Sequence, residues 1–409
     1  MRWFMIVAAA LFLSGCATMH REATIADAQV FLDHHRVFDT HNDLVGAWYF
    51  PGKLETPEAL DLASLPGQND LAKWKAGRFG GGLFTNVSLK GEPEFPRMKA
   101  SFAWFDSLPA RYPEVVKVET ATELERVLAT DRIAMVMSIE GAMQLDNDKA
   151  NIAAAKAAGV RSIQLVYDWN TELGDGNEAW PGTEKKSVPA NGGLSDKGRA
   201  FVAELNCQGV IVDLAHAADS TVRDSIKTSR APILLSHTPA RGIADSAYNV
   251  TDDALREAKG NGAIIGVLFA PGTISQAHLT WWKASESEWN KVKAVSASNE
   301  EAWKAIAPWD KANPEPAVTV KDVADNIDYI AGFIGRDHVA IGSDFDGMSG
   351  TRTKGLEDAS TFPVLFAELM RRGWSDHELA GLANGNFIRF WHQVEDKAAE
   401  LRASGQCPV

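Results

Sequence analysis

Several things are scarce in this sequence, and each absence narrows the field. Of 409 residues only three are cysteine, at positions 16, 207 and 407. They form no C-x-x-C pair, which removes thiol-exchange motifs and zinc-ribbon sites. Basic residues are outnumbered, 41 Lys and Arg against 54 Asp and Glu, for a net charge of −13. No positive surface is available to collect phosphates, so no nucleic-acid partner is expected. G-x-S-x-G, G-x-x-x-x-G-K-[ST] and H-E-x-x-H are all missing, which takes away the serine-hydrolase elbow, the phosphate loop and the zincin helix. Gly260-Asn261-Gly262 precedes an apolar run instead of following one, so it reads as a helix stop and not as a dinucleotide loop. Beyond the N-terminus no apolar run reaches the ~18 residues that a spanning helix needs.

The N-terminus is the exception to that plainness. Arg2, the apolar run Phe4–Leu13 and then Leu13-Ser14-Gly15-Cys16 have the order of a signal peptide. A cysteine directly after small residues resembles a bacterial lipobox. The expectation is a signal peptide over 1–15, lipidation at Cys16, a tether over 16–30 and a folded part over 31–409. A plain secretory signal with an incidental cysteine is the alternative. Ala17 does not resemble an inner-membrane retention signal, which favours the outer membrane, facing the periplasm, with membrane contact through the lipid alone. An oxidising compartment would let Cys207 and Cys407 pair. The simpler reading, favoured here, is one buried thiol and one mobile tail thiol.

Eight short apolar runs rich in β-branched residues follow. They are Val37–Leu44, Gly82–Leu89, Ile133–Glu140, Val160–Tyr167, Gly209–His216, Pro232–His237, Ala263–Phe269 and His338–Phe345. Helix-compatible stretches such as Lys149–Ala158 and Lys197–Cys207 lie between them. Strands alternating with helices indicate parallel βαβ units, and near-continuous apolar strands indicate a sheet covered on both faces. A count of eight indicates a closed (β/α)8 TIM-type barrel; an open doubly wound sheet is the alternative. One interval is out of proportion. Pro271–Val318, with Trp281, Trp282, Trp289, Trp303 and Trp309, reads as a helical insertion between the seventh and eighth strands. It lies over the barrel mouth or at a subunit contact, or is a locally packed hairpin without a part in chemistry.

The informative observation is where polar residues fall. Five of the eight runs end in metal-ligand types: Asp39-Thr40-His41-Asn42-Asp43, Ser138-Ile139-Glu140-Gly141, Asp213-Leu214-Ala215-His216, Ser236-His237-Thr238 and Ser343-Asp344-Phe345-Asp346. In a barrel all strand C-termini converge on one mouth, so these residues meet in space. His41 and Asp43, two apart on a strand, point to the same side. Alone such a pair is as well read as a buried hydrogen-bonded couple. Together with two further strand-end histidines and a glutamate it fits a site for two divalent ions such as zinc. Glu140 has the two oxygens to bridge the ions. His41 and Asp43 would hold one ion, His216 and His237 the other, and a bridging hydroxide would attack the substrate. Asp344 is placed to handle protons and Asp346 to cap the following helix. His34, His35, His278, His338 and His392 lie at the wrong strand end or in helical contexts and read as surface or structural.

The same segments, with Ile341-Gly342-Ser343-Asp344-Phe345-Asp346-Gly347 and Asn384-Gly385-Asn386-Phe387-Ile388-Arg389, resemble the membrane (renal) dipeptidase family. They run in the family's order from about residue 30 to 395, essentially the whole mature chain. The resemblance implies a binuclear zinc barrel of the amidohydrolase type, a homodimer, and cleavage of dipeptides, L-Xaa-D-Xaa included. It also implies His41, Asp43, Glu140, His216 and His237 as metal ligands and Asp344 as acid/base. Two positions depart from the pattern. Tyr167 stands where the family has a histidine that contacts the reacting carbonyl; a hydroxyl can still donate to an oxyanion. Tyr248, before Asn249-Val250, stands where the family has an arginine for the substrate carboxylate, and Arg241 on the same loop is a possible substitute. The leading expectation is therefore a zinc-dependent dipeptidase. An amidase for N-acyl amino acids and a non-catalytic metal- or ligand-binding lipoprotein are the alternatives.

Overall fold

The computed structural model describes residues 22–44, 61–65, 67–87, 95–179, 187–348 and 351–407. Cys16 and the expected signal peptide lie outside the described residues. A helix over Ile25–Leu32 starts on a Thr24/Asp27 capping box and buries Ala28 and Leu32 completely.

Among the described residues nine strands form one parallel sheet: β1 (Val37–Asn42), β2 (Phe79–Val87), β3 (Val115–Lys117), β4 (Ile133–Glu140), β5 (Val160–Gln164), β6 (Ile211–Asp213), β7 (Leu234–Leu235), β8 (Ile264–Val267) and β9 (Val339–Ile341). β2 pairs with both β1 and β4, which closes a ring of eight, while β3 hangs on β4 outside the ring. The eight expected strand regions are therefore all present, in a closed barrel and not an open sheet. β3 carries too short a pattern to be seen in sequence. β1 and β4 are buried along their whole length, as expected of strands covered by helices outside and packed side chains inside.

Local signals set the helix limits. Ser195 caps Asp196–Gln208, which ends on Gly209, and Thr251 caps Asp252–Asn261, which stops on Gly262. Between β8 and β9 lie the helices Pro271–Ile274, Gln276–Val295 and Asn299–Ala312, ahead of the barrel helix Val320–Ile334. The late Asn384–Arg389 motif works at the other end of the barrel. Asn384 Nδ2 donates to Arg36 O, Asn386 Nδ2 donates to Val339 O, and the Phe387 ring stacks on Phe38 at 4.6 Å. It pins the C-terminal helix Asn386–Ala403 beneath the starts of β1 and β9.

The favoured reading of two separate thiols is corrected. Cys207 and Cys407 form a disulfide with their Cα atoms 5.6 Å apart. The chain end folds back beside the helix Asp196–Gln208, where Arg402 also donates to Cys207 O at 2.6 Å. Among the described residues no helix is long and apolar enough to cross a membrane.

Candidate metal centre

Each barrel strand delivers its last residues to one mouth. β1 closes on His41-Asn42, followed by Asp43; β4 ends with Glu140. The chain leaving β6 carries His216, that leaving β7 carries His237, and that leaving β9 carries Asp344. His216 and Asp344 both adopt left-handed backbone conformations, φ 63° and 59°. Such strain in non-glycine residues turns a side chain away from the strand direction and is concentrated at functional sites. Gly347 is needed here for space, since a Cβ on it would lie 2.1 Å from both Asp344 Oδ1 and Asp43 Oδ2.

The side chains converge on Glu140. One carboxylate oxygen, Oε1, lies 3.1 Å from His216 Nε2 and 3.5 Å from His237 Nε2; the other, Oε2, lies 3.7 Å from His41 Nε2. His41 Nε2 is also 3.5 Å from Asp43 Oδ2 and 3.8 Å from Asp344 Oδ1. His216 Nε2 and His237 Nε2 approach to 3.0 Å. The donor atoms fall into two overlapping groups, His41–Glu140–His237 and His41–Asp43–Asp344.

The donor set fits divalent ions on three counts. His41 Nε2 and Asp43 Oδ1 are buried without a hydrogen-bond partner, a costly state for polar atoms that a bound cation relieves. The far side of the rings is already engaged: His216 Nδ1 with Asp168 Oδ1 at 2.6 Å and His237 Nδ1 with Ser236 Oγ at 2.8 Å. His41 Nδ1 lies 3.4 Å from Thr85 Oγ1. Partners on Nδ1 fix the ring and leave Nε2 as the ligating atom. Third, Glu140 presents a separate oxygen to each side, the geometry a bridging carboxylate needs.

Electrostatics agree. Burial by itself raises the Glu140 carboxyl, but the charge of His41 and hydrogen bonds from His216 and His237 outweigh it and hold it well below the usual carboxylate range. Burial lowers His41 and His216, yet Glu140 pushes the first up to about 9 and Asp168 pushes the second up to about 10. Protonated imidazoles and divalent cations are alternative ways to balance the same carboxylates, and the second leaves each Nε2 as a ligand. Asp344 is raised well above its ordinary value, by burial first and then by the charge of Asp43.

Under these groups lies a polar layer that the sequence did not single out. Asp39 accepts from Ser343 N at 2.8 Å, Asp213 accepts from Ser236 N at 3.1 Å, and Thr40 Oγ1 donates to Ser236 O at 2.6 Å. These bonds lock the ends of β1, β6, β7 and β9 together. Asp346 is not a helix cap. It accepts from Gln68 N at 2.5 Å and from Asn69 Nδ2 at 2.8 Å, so it fastens the 67–70 segment beside the site.

Over the site opens a cavity of about 500 Å³, with Asp43, Glu140, His216 and Asp344 at its floor. Leu268, Met348, Trp281 and Trp282 form its apolar wall. The helices between β8 and β9 thus supply part of the cavity wall. They also bring His278, which is not a surface residue but 4% exposed, with Nε2 2.9 Å from Glu315 Oε1.

The whole chain from residue 25 to residue 405 matches the family described as membrane dipeptidase, peptidase family M19. The chain belongs to the M19 membrane dipeptidase family. It is 28% identical to human dipeptidase 3 over 385 residues, covering 93% of this chain and 69% of that protein. It is 27% identical to dipeptidase verJ of Clonostachys rogersoniana, over 90% of this chain and 87% of that protein. With rat dipeptidase 3 it shares 31% identity over 73% of its own length, and it spans about half of that relative, 51%. Among solved structures, the probable dipeptidase PvdM from Pseudomonas aeruginosa superposes with a TM-score of 0.75 at 25% identity, covering 91% of this chain and 98% of that one.

In this M19 chain the structure brings Tyr167 and Tyr248 to the site but not Arg241. The Tyr167 ring stacks on His216 with centroids 4.4 Å apart, and Tyr167 lines the cavity. Tyr248 lines it too, 4% exposed, its hydroxyl donating to His237 O at 3.0 Å and lying 3.4 Å from His216 Nε2. Arg241 is turned elsewhere: its guanidinium donates to Ser246 O at 3.1 Å and Ala247 O at 3.0 Å, bracing the loop that carries Tyr248. It does not line the large cavity. Asp168, beside Tyr167 in sequence, escaped notice because its chain segment after β5 carries no strand-end histidine to draw attention to it.

Proposed function

We propose that this protein is a zinc-dependent dipeptidase whose metal ligands are His41, Asp43, Glu140, His216 and His237. The observation that carries the reading is Glu140, whose two oxygens face His41 on one side and His216 with His237 on the other. Two divalent ions held there would supply Lewis acidity to the scissile carbonyl and acidify the attacking water. The remaining work belongs to the chain's own residues. Asp344 accepts the proton of the attacking water and returns it to the departing amine, a role that its place at the cavity floor, 3.8 Å from His41 Nε2, suits. The Tyr167 hydroxyl, at the cavity wall, donates to the carbonyl oxygen as negative charge develops on it. The cavity of about 500 Å³ suits small amides, dipeptides with an L- or D-residue at the C-terminal side among them.

A second reading is an amidase for N-acyl amino acids or related amides. Tyr248 in the arginine position favours it, because tyrosine offers no bidentate clamp for a free carboxylate. The location that goes with either reading is the bacterial cell envelope, anchored by lipid at Cys16 in the outer membrane and facing the periplasm. The Cys207–Cys407 disulfide supports an oxidising compartment. The family resemblance supports a homodimer.

The test uses protein stripped with a chelator and reloaded with zinc, assayed on L-Xaa-L-Xaa, L-Xaa-D-Xaa and N-acyl amino-acid panels. The expected result is zinc-dependent dipeptide turnover that Asp344→Asn lowers by about 10²–10⁴-fold. Turnover of N-acyl compounds alone would replace the first reading with the second. Stoichiometric metal with no turnover on any panel would leave a metal- or ligand-binding lipoprotein.

A further inference from the structure

The cavity is larger than the metal centre requires, and its outer half has a composition of its own. It is built by the helical insertion and the segment that follows, with Trp281, Trp282, His278 and Glu315 on its wall. No Lys or Arg is among the described residues that line it, whereas Asp43, Glu140, Asp168, Asp344 and Glu315 are. The first four face the metal centre and its histidines. Glu315 does not; its partner is His278 Nε2 at 2.9 Å, and its side chain is still 57% exposed.

The group is held in place from several sides. Trp281 Nε1 donates to Asn313 O at 2.8 Å, which ties the helix Gln276–Val295 to the segment that carries Glu315. The Trp281 and His278 rings lie 5.3 Å apart. Gly272 lets Trp282 close in, because a Cβ there would lie 2.9 Å from the indole. His278 is 4% exposed and its Nδ1 has no partner.

From this arrangement we propose that Glu315, with the Trp281–Trp282 wall, forms a subsite for a positively charged group on the substrate, an amino or guanidinium carried beyond the scissile amide. A carboxylate and indole rings lining one cavity are the chemistry that recognises such a cation. A wall without arginine or lysine offers no cationic partner to a second anionic group. This specificity rests on the amide-hydrolase reading of the metal centre, but the subsite has a readout of its own.

Two measurements on the zinc-loaded protein test it. In the first, kcat/KM is compared for Ala-Lys against Ala-norleucine and for Lys-Ala against norleucine-Ala, pairs that differ only by the ammonium. The wild type is expected to favour the lysine peptide of at least one pair by tenfold or more. Glu315→Gln should bring that ratio near one, and Glu300→Gln, an exposed residue of the same insertion, should keep it. In the second, calorimetry compares binding of n-pentylammonium with that of neutral n-pentanol. The wild type should prefer the ammonium by tenfold, and Glu315→Gln should lose the preference. No preference for the charged member in either experiment, or a preference that survives Glu315→Gln, overturns the proposal. Absence of dipeptide turnover together with an intact, Glu315-dependent preference for pentylammonium overturns the dipeptidase reading and leaves the subsite standing.

Discussion

Asp168 Oδ1 lies 2.6 Å from His216 Nδ1, on the opposite edge of the ring from the Nε2 that faces Glu140. The carboxylate fixes the tautomer, aims Nε2 at the metal centre and makes it a better electron donor. Partners of this kind contribute to metal affinity without touching the ion. Asp168→Ala is therefore expected to weaken zinc binding about 10–100-fold. Competition with a chromophoric chelator reads this directly. Unchanged affinity would mean that packing against Tyr167 alone holds the His216 ring.

Tyr167 tests the chemistry instead of the binding. It stacks on His216, and burial, followed by the charge of Asp168, raises its hydroxyl well above the ordinary tyrosine value. It remains a neutral donor at any working pH. If it donates to the developing oxyanion, Tyr167→Phe should lower kcat by about 10²–10³-fold. KM should change little, because the bond strengthens mainly in the transition state. A rise in KM at constant kcat would place Tyr167 in ground-state binding only.

The contrast between Glu140 and Asp168 shows what the sequence carried. His41, Asp43, Glu140, His216, His237 and Asp344 were legible because each stands at the end of an apolar run, and barrel geometry turns that one-dimensional feature into a three-dimensional cluster. The eight barrel strands were legible for the same reason, from burial on both faces. What was hidden depends on contacts between residues whose own sequence context is ordinary. Asp168 supports a ligand and ends no run. Glu315 and His278 sit in the insertion, where the tryptophans signalled packing but not which face met the cavity. Asp346 follows a strand, as a helix cap would, yet its partners Gln68 and Asn69 are nearly 280 positions away. The disulfide joins residues 200 apart, and spacing does not reveal such a pair.

Asp346 gives stability a pH dependence whose sign follows from its surroundings. Burial raises its carboxyl to about 6, against hydrogen bonds from Gln68 and Asn69 that lower it. The unfolded chain releases this proton near pH 4, the folded protein only near 6, so between those values the folded state holds a proton that the unfolded state has lost. Stability from this group is present below pH 4 and is lost as pH rises through 6, an effect of roughly 2 kcal/mol or less given its partial exposure. Asp346→Asn removes the titration. The difference in unfolding free energy between wild type and variant should therefore move in the variant's favour from pH 4 to pH 7, whatever constant offset the amide introduces. A pH-independent difference in denaturant midpoints would show that Asp346 titrates normally.

The disulfide should matter for persistence and not for turnover. Cys207 lies in the last turn of the helix that leads into β6, so it sits at the opposite end of that strand from His216. Cys407 lies just past the C-terminal helix, whose Phe390 and Trp391 are buried under the barrel. Closing so long a loop restricts the unfolded chain more than it changes any native contact. Cys407→Ala, or reduction of the wild type, should cost about 2–4 kcal/mol of unfolding free energy. Metal content and kcat measured well below the melting temperature should stay as they are, because no residue of the cavity moves. Loss of zinc on reduction would instead mean that the C-terminal helix, through Asn386 and Phe387, sets the position of β1 and β9 and with them His41 and Asp344.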